Sequence, residues 1–479
     1  MLVNLYVVRA VLDILGVQDY GIFNVVGGLV MMFSFLNGTL ATASQRFFSI
    51  ELAKGDLKRL NDCFSLNITV FLMATAIIVF ILETLGLWFL NTQMTIPDSR
   101  LFAANVVFQF SIIAFVFQMF SVPYNALVIA YEKMSAFAYI GIFEALFKLV
   151  IVVLLIHLSY DKLILYGELT SLSAIGVTLS YYLYCKRKLQ GCDFYFYWNG
   201  QEAKRLVSFT GWHFCGTIAG VIQGQGINIL INMFFNPAIN AARAVAFQVS
   251  NAINQLNNNF FVAVKPQMYK CYASDEITEL NLLILRSTVV CFFLTSVVSI
   301  PFIVNVDLIL SLWLKAVPQK ACLFTCLVLI SGILESTNGS IICPVLATGN
   351  IKRFYIWTSL VYVLNLPVSY LFLKAGCNPE ITMVIASFLA FVSIFLRAFL
   401  LKKVLDFDFR KYCMIVIKLI SVSLLVFISL YYIAKLCDNH FVALLLTCVF
   451  SIVIHLLLIY VFVLGKADRR LIIEYIKRK

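Results

Sequence analysis

The chain has 479 residues, of which 62% are hydrophobic and 13% charged, with a mean hydropathy of +0.94 and a formal net charge of +12. Soluble domains carry roughly 25% charged residues, so this balance excludes a water-soluble enzyme or binding module. It predicts an all-α, polytopic membrane protein built from apolar runs of about 20 residues each.

In chain order the apolar runs predict fourteen spans, near 1–16, 20–47, 64–90, 101–131, 135–158, 163–185, 206–235, 241–270, 283–306, 320–348, 351–374, 380–401, 412–434 and 440–464. The first is short. Residues 1–12, ahead of Asp13, rise only about 18 Å as a helix, against roughly 30 Å of hydrocarbon. The expectation is a truncated first span, in a chain whose native start precedes Met1. On the second span Asn24, Gly27, Gly28, Gly38, Thr42, Gln45 and Arg46 share one helical face. Arg9 and Asp13 lie one turn apart on the first, and Glu144 and Lys148 form an i, i+4 pair on the fifth, in the favourable order. Each pair is either a packing salt bridge or a carboxylate that couples H⁺ or Na⁺ to a conformational change.

The eighth span is the least like a membrane helix. Its stretch VSNAINQLNNNFFVAVKPQ (249–267) holds five Asn and two Gln. At about 3.6 residues per turn, Arg243, Ser250, Asn254, Asn257, Asn258 and Lys265 fall on one side, and Val249, Ile253, Leu256, Phe260 and Val264 on the other. That is amphipathicity inside a span, and it predicts a polar face on a hydrated cavity or a packed polar seam.

With the chain entering from the cytoplasm, loops on that side hold 22 Lys and Arg and the opposite loops 6. By the positive-inside rule this sets the orientation, with the C-terminus cytoplasmic. It also explains most of the net charge without nucleic acid. Arg286, Arg397 and Lys418 are expected to snorkel from cytoplasmic span ends.

Two landmarks recur. Gln45 and Gln267 are 222 residues apart, and Pro123–Ala126 and Pro344–Ala347 are offset by 221. The offsets predict a duplication: a six-helix lobe over 1–188, an inter-lobe loop at 189–205, a second lobe over 206–404, and at 405–479 two further helices with a basic tail. Parallel repeats around a central site are a transporter design. The interior groups counted here are Arg9, Arg46, Lys148, Arg243 and Lys265 against Asp13 and Glu144, an excess of cations that suits an anionic solute such as a phosphate.

Three stretches carry a resemblance: LGVQDYGIFNVVGGLVMMFSFLNGTLATASQRFFSIELAKGD (15–56), VPYNALVIAYEKMSAFAYIGIFEALFKL (122–149) and FFNPAINAARAVAFQVSNAINQLNNNFFVAVKPQMYKCYAS (234–274). They resemble the polysaccharide-repeat (O-antigen and capsule) flippases of the multidrug/oligosaccharidyl-lipid/polysaccharide (MOP) exporter superfamily, over about residues 2–404. The resemblance implies two six-helix bundles plus two trailing helices in a bacterial inner membrane. It also implies alternating-access translocation of undecaprenyl-diphosphate-linked oligosaccharide for surface polysaccharide, beside the pathway's polymerase and glycosyltransferases. Only the cationic type of the cavity is carried over. Arg9, Arg46, Arg243 and Lys265 as its cations, and Asn24, Gln45, Ser250, Asn254, Asn257 and Asn258 as its polar wall, come from position and periodicity. Asp13, Glu144 and Lys148 are the candidates for ion coupling.

The alternatives are a multidrug or small-solute antiporter, which favours an acidic aromatic pocket, and a membrane glycosyltransferase or polymerase. The latter needs paired carboxylates or a metal on a sizeable external loop. The one formal D-x-D, Asp406 and Asp408, sits in a short basic connector. With neither a metal-spaced Cys/His cluster nor a Walker A motif, no metal, cofactor or nucleotide is expected.

Overall fold

The computed structural model describes residues 2–31, 33, 35–92, 94, 96–158, 160–235, 237–314, 317–463, 465 and 469. Among them every regular element is helical. In order these are α1 (Leu2–Met31), α2 (Phe35–Lys54), α3 (Leu57–Ile81), a π-helical segment (Leu82–Gly86), α4 (Leu87–Thr92), α5 (Asp98–Ala130), α6 (Met134–His157), α7 (Lys162–Lys188), α8 (Gly200–Phe234) and α9 (Pro237–Ala273). There follow α10 (Ile277–Val304), α11 (Val306–Trp313), α12 (Ala321–Glu335), α13 (Asn338–Thr348), α14 (Lys352–Lys374), α15 (Ile381–Lys402), α16 (Phe409–Lys435), α17 (His440–Leu458) and a closing π-helical segment (Ile459–Val463).

The expected segments fall on these helices. Among the described residues ten helical stretches are long and apolar enough to cross a membrane, and the α12–α13 pair, bent by 40°, makes an eleventh. The shortfall from fourteen lies in α1, α2 and α9. Polar side chains lower the hydropathy of α2 and α9, and α1 is divided at Gly16, whose φ of 77° and ψ of 167° are not helical. A Cβ on Gly16 would meet nothing within 4 Å, so backbone conformation alone demands glycine there. Gly16→Ala is expected to destabilise the protein by about 1–3 kcal/mol, read as a lowered unfolding free energy in bicelles. The expected second span is not one helix either. It breaks between Met31 and Phe35, so Asn24 lies on α1 while Gln45 and Arg46 lie on α2.

The outward surface is apolar in a way water does not tolerate. On α3, Phe64, Phe71 and Ile78 are buried, while Met73, Ile77 and Phe80 project outward. Lipid is the solvent for that second face, and this is a multi-pass membrane protein.

The chain divides into two compact units, Met1–Phe214 and Cys215–Lys479. In the first, α5 lies along α7. Thr178 donates to the Phe117 carbonyl at 2.8 Å and Asn125 to the Tyr181 hydroxyl at 3.1 Å, and Val107, Phe108 and Leu163 are fully buried between the helices. In the second, α9 packs on α10, α12 and α13. Phe261 fills a notch at Gly339, where a Cβ would stand 2.1 Å from its ring. The trailing helices α16 and α17 bury Leu419, Val426 and Leu430 against Phe292 of α10. Asp408 of the D-x-D connector caps α16 by accepting from the Lys411 amide at 3.0 Å.

Candidate functional site

Within the second unit, α8, α9, α12, α14 and α15 enclose a cavity of about 340 Å³. Three expected site residues line it, all from α9: Arg243, Ser250 and Asn254. Gln223 of α8, Ser331 and Glu335 of α12, and Tyr362 and Asn365 of α14 complete its polar wall. The helical phase of α9 explains the trio, since positions 243, 250 and 254 stack on one face at the 3.6-residue period.

Arg243 is only 5% exposed. Its guanidinium donates to the Asn228 side-chain oxygen and, at 3.3 Å, to the Gly224 carbonyl, and lies 4.4 Å over the Phe247 ring. Its Nε has no partner among the described residues, and neither do its contacts include a carboxylate. Removing a charge from water without a counter-charge costs several kcal/mol. The cation–π contact offsets only about 2 kcal/mol of that.

The second charged group on this wall, Glu335, is held in an ion pair. Arg397 of α15, 2% exposed, donates to both Glu335 oxygens at 3.1 and 3.4 Å and to the Tyr362 hydroxyl at 2.6 Å. This corrects the expectation that Arg397 snorkels. Its long side chain turns inward because a carboxylate waits 62 positions earlier in the chain. Glu335, absent from the expected interior acids, is the carboxylate. A lone acid in one apolar run and a lone base in another were the available signal. The charged residues of the lining are Arg243 and Glu335, and Glu335 is paired with Arg397, which is outside the lining, so Arg243 is the charge on the wall without a carboxylate partner among the described residues.

The other expected residues do not join this cavity. Asn257 is buried and donates to Thr295 of α10 at 2.8 Å. It is a helix–helix bond rather than a solute contact, because α10 covers that side of α9. Asn258 is exposed, and Lys265, half-buried, lies farther along the helix and outside the lining.

The remaining expected residues belong to the first unit. Asn24 donates to the Tyr20 carbonyl at 2.8 Å on its own helix. Gln45 is buried with an unpartnered Nε2 among the described residues. Arg46 lies 4.9 Å over Phe47 and 5.2 Å over Phe209. Asp13 is exposed, and Glu144 and Lys148 pair at 2.7 Å on a partly exposed face of α6. The side chain of Arg9 lies outside the described residues. One network escaped the sequence reading: Arg100 of α5 bridges buried Asp19 of α1 and, at 2.5 Å, Asp161, which also caps α7.

No family model and no curated protein matches the sequence. Solved structures do match in fold. A MATE transporter of Vibrio cholerae, VcmN, superimposes with a TM-score of 0.70 at 15% identity, over 84% of this chain and 92% of that one. The lipid II flippase MurJ, inward closed, has a TM-score of 0.55 at 14% identity over 95% and 97%. The fold is that of the MOP-superfamily transporters. A further MOP transporter, from Pyrococcus furiosus and described by a reversed polarity of its binding pocket, has a TM-score of 0.63 at 13% identity, over 84% and 92%.

Proposed function

We propose that this chain is a flippase of the bacterial inner membrane that carries a lipid-linked oligosaccharide diphosphate, of the undecaprenyl type, by alternating access. The observation that carries the reading is Arg243, a buried guanidinium without a carboxylate partner among the described residues, on the wall of a cavity whose other polar groups are the Glu335 carboxylate, already paired with Arg397, and several amides and hydroxyls. An anion gains most at such a place, since guanidinium holds phosphate oxygens in paired, charge-assisted hydrogen bonds. Amides such as Asn254 and Asn365 both donate and accept, as sugar hydroxyls require. Arg46, Lys265 and Arg9 are proposed to attract the diphosphate elsewhere along its route, and Gln45 to belong to the polar wall. Asp13 or Glu144 is proposed to couple H⁺ or Na⁺, and the cytoplasmic C-terminus follows from the Lys and Arg bias.

The competing reading is a multidrug antiporter, supported by the MATE neighbours and by Glu335 on the cavity wall. It is weaker because Arg397 already occupies both Glu335 oxygens, which leaves little for a cationic solute. Reconstituted vesicles test the choice. A fluorescent polyprenyl-diphosphate oligosaccharide is expected to become accessible to a membrane-impermeant quencher on the far side. An immobile lipid together with rapid transport of a monovalent organic cation would favour the antiporter.

A further inference from the structure

We propose that residues 193–198, DFYFYW, form a rigid aromatic strap that seats in the headgroup region of an anionic bilayer, where α7 leaves the membrane and α8 enters it. The segment is irregular yet firmly held. Leu189 and Cys192 are buried in the core with Phe64 and Leu127, and Gly191, at φ 71°, lies so close to Leu60 that a Cβ would stand 2.8 Å from it. The backbone is then tied to α3. The Asp193 amide donates to Asn61 at 2.8 Å, Ser65 donates to the Asp193 carbonyl at 3.3 Å, and the Tyr195 amide donates to Ser65 at 3.3 Å. The Tyr195 hydroxyl donates to Asp62.

Tyr195 is tied to α3 yet 41% exposed, and Phe194, Phe196 and Trp198 are 48%, 79% and 49% exposed. Three large aromatic rings fixed outward are unfavourable in water, but suited to a membrane interface, where aromatic residues collect. Charge selects the occupant. Lys186, Arg187 and Lys188 precede the strap and Lys204 and Arg205 follow it, all exposed, and the acid within it, Asp193, is engaged by Lys186 at 2.5 Å. An aromatic face between basic flanks, continuous with two apolar spans, complements anionic lipid headgroups. The strap then fixes the depth of the α7–α8 junction.

Tryptophan quenching in nanodiscs containing phosphatidylglycerol tests this. The difference in emission between the intact chain and Trp198→Phe isolates Trp198 from the other four tryptophans. That difference is expected to be quenched about twofold more by lipids brominated near the headgroup than by lipids brominated at the chain ends. Aqueous iodide should quench it little. If Trp198→Phe disturbs folding, Phe194→Trp gives the same readout by addition, because Phe194 is exposed to the same degree. Efficient iodide quenching without any effect of brominated lipid would overturn the proposal.

Discussion

Replacing Arg243 by methionine is expected to weaken binding of a lipid-linked diphosphate roughly 10- to 100-fold, the loss of one or two charge-assisted hydrogen bonds. The same change should leave the protein at least as stable as before. The two effects part company because Arg243 is buried without a carboxylate among its contacts. Its charge burdens the folded state, and an apolar side chain of similar length relieves that burden. Asn228 and the Gly224 carbonyl each lose a donor, which offsets part of the gain. Equilibrium titration and thermal unfolding of the same preparation separate the terms. A variant that binds normally but unfolds earlier would make Arg243 a structural residue, with no part in holding cargo.

Glu335→Ala is expected to act in the opposite manner. It strands the Arg397 guanidinium, 2% exposed, with the Tyr362 hydroxyl as its remaining neighbour in the network. Breaking a buried pair in this way costs about 3–5 kcal/mol. The lower end applies here, because Glu335 keeps some exposure. Removing both charges, as in Glu335→Ala with Arg397→Met, should recover most of the loss, since well-packed apolar replacements of buried pairs are often neutral. Unfolding free energies of the four proteins in bicelles give the coupling directly. A single change within about 0.5 kcal/mol of the parent would mean that water already screens the pair.

The helices were readable because apolar runs of membrane length are long and strongly marked. The polar face of α9 was readable too, since periodicity places residues on a side of a helix. What lies opposite that side is a tertiary fact. Arg243, Ser250 and Asn254 meet a cavity, while Asn257, one turn on, meets Thr295 of α10. Charges at the ends of apolar runs were the least readable. Arg397 looks like an ordinary span-end residue, as do Arg100 and Asp161 in the first unit, and only their partners show otherwise; Glu335 is a lone acid inside an apolar run, with nothing nearby in the sequence to name its partner.

The proposed cargo depends on the sign of the charge that the second-unit cavity accepts. Its most direct test is a competitive binding titration on the intact chain, a polyprenyl-diphosphate oligosaccharide against a monovalent organic cation. The predicted result is saturable binding of the diphosphate that weakens in Arg243→Met, with the cation unable to compete. Displacement of the diphosphate by the cation, or cation binding that is lost in Glu335→Gln, would contradict it.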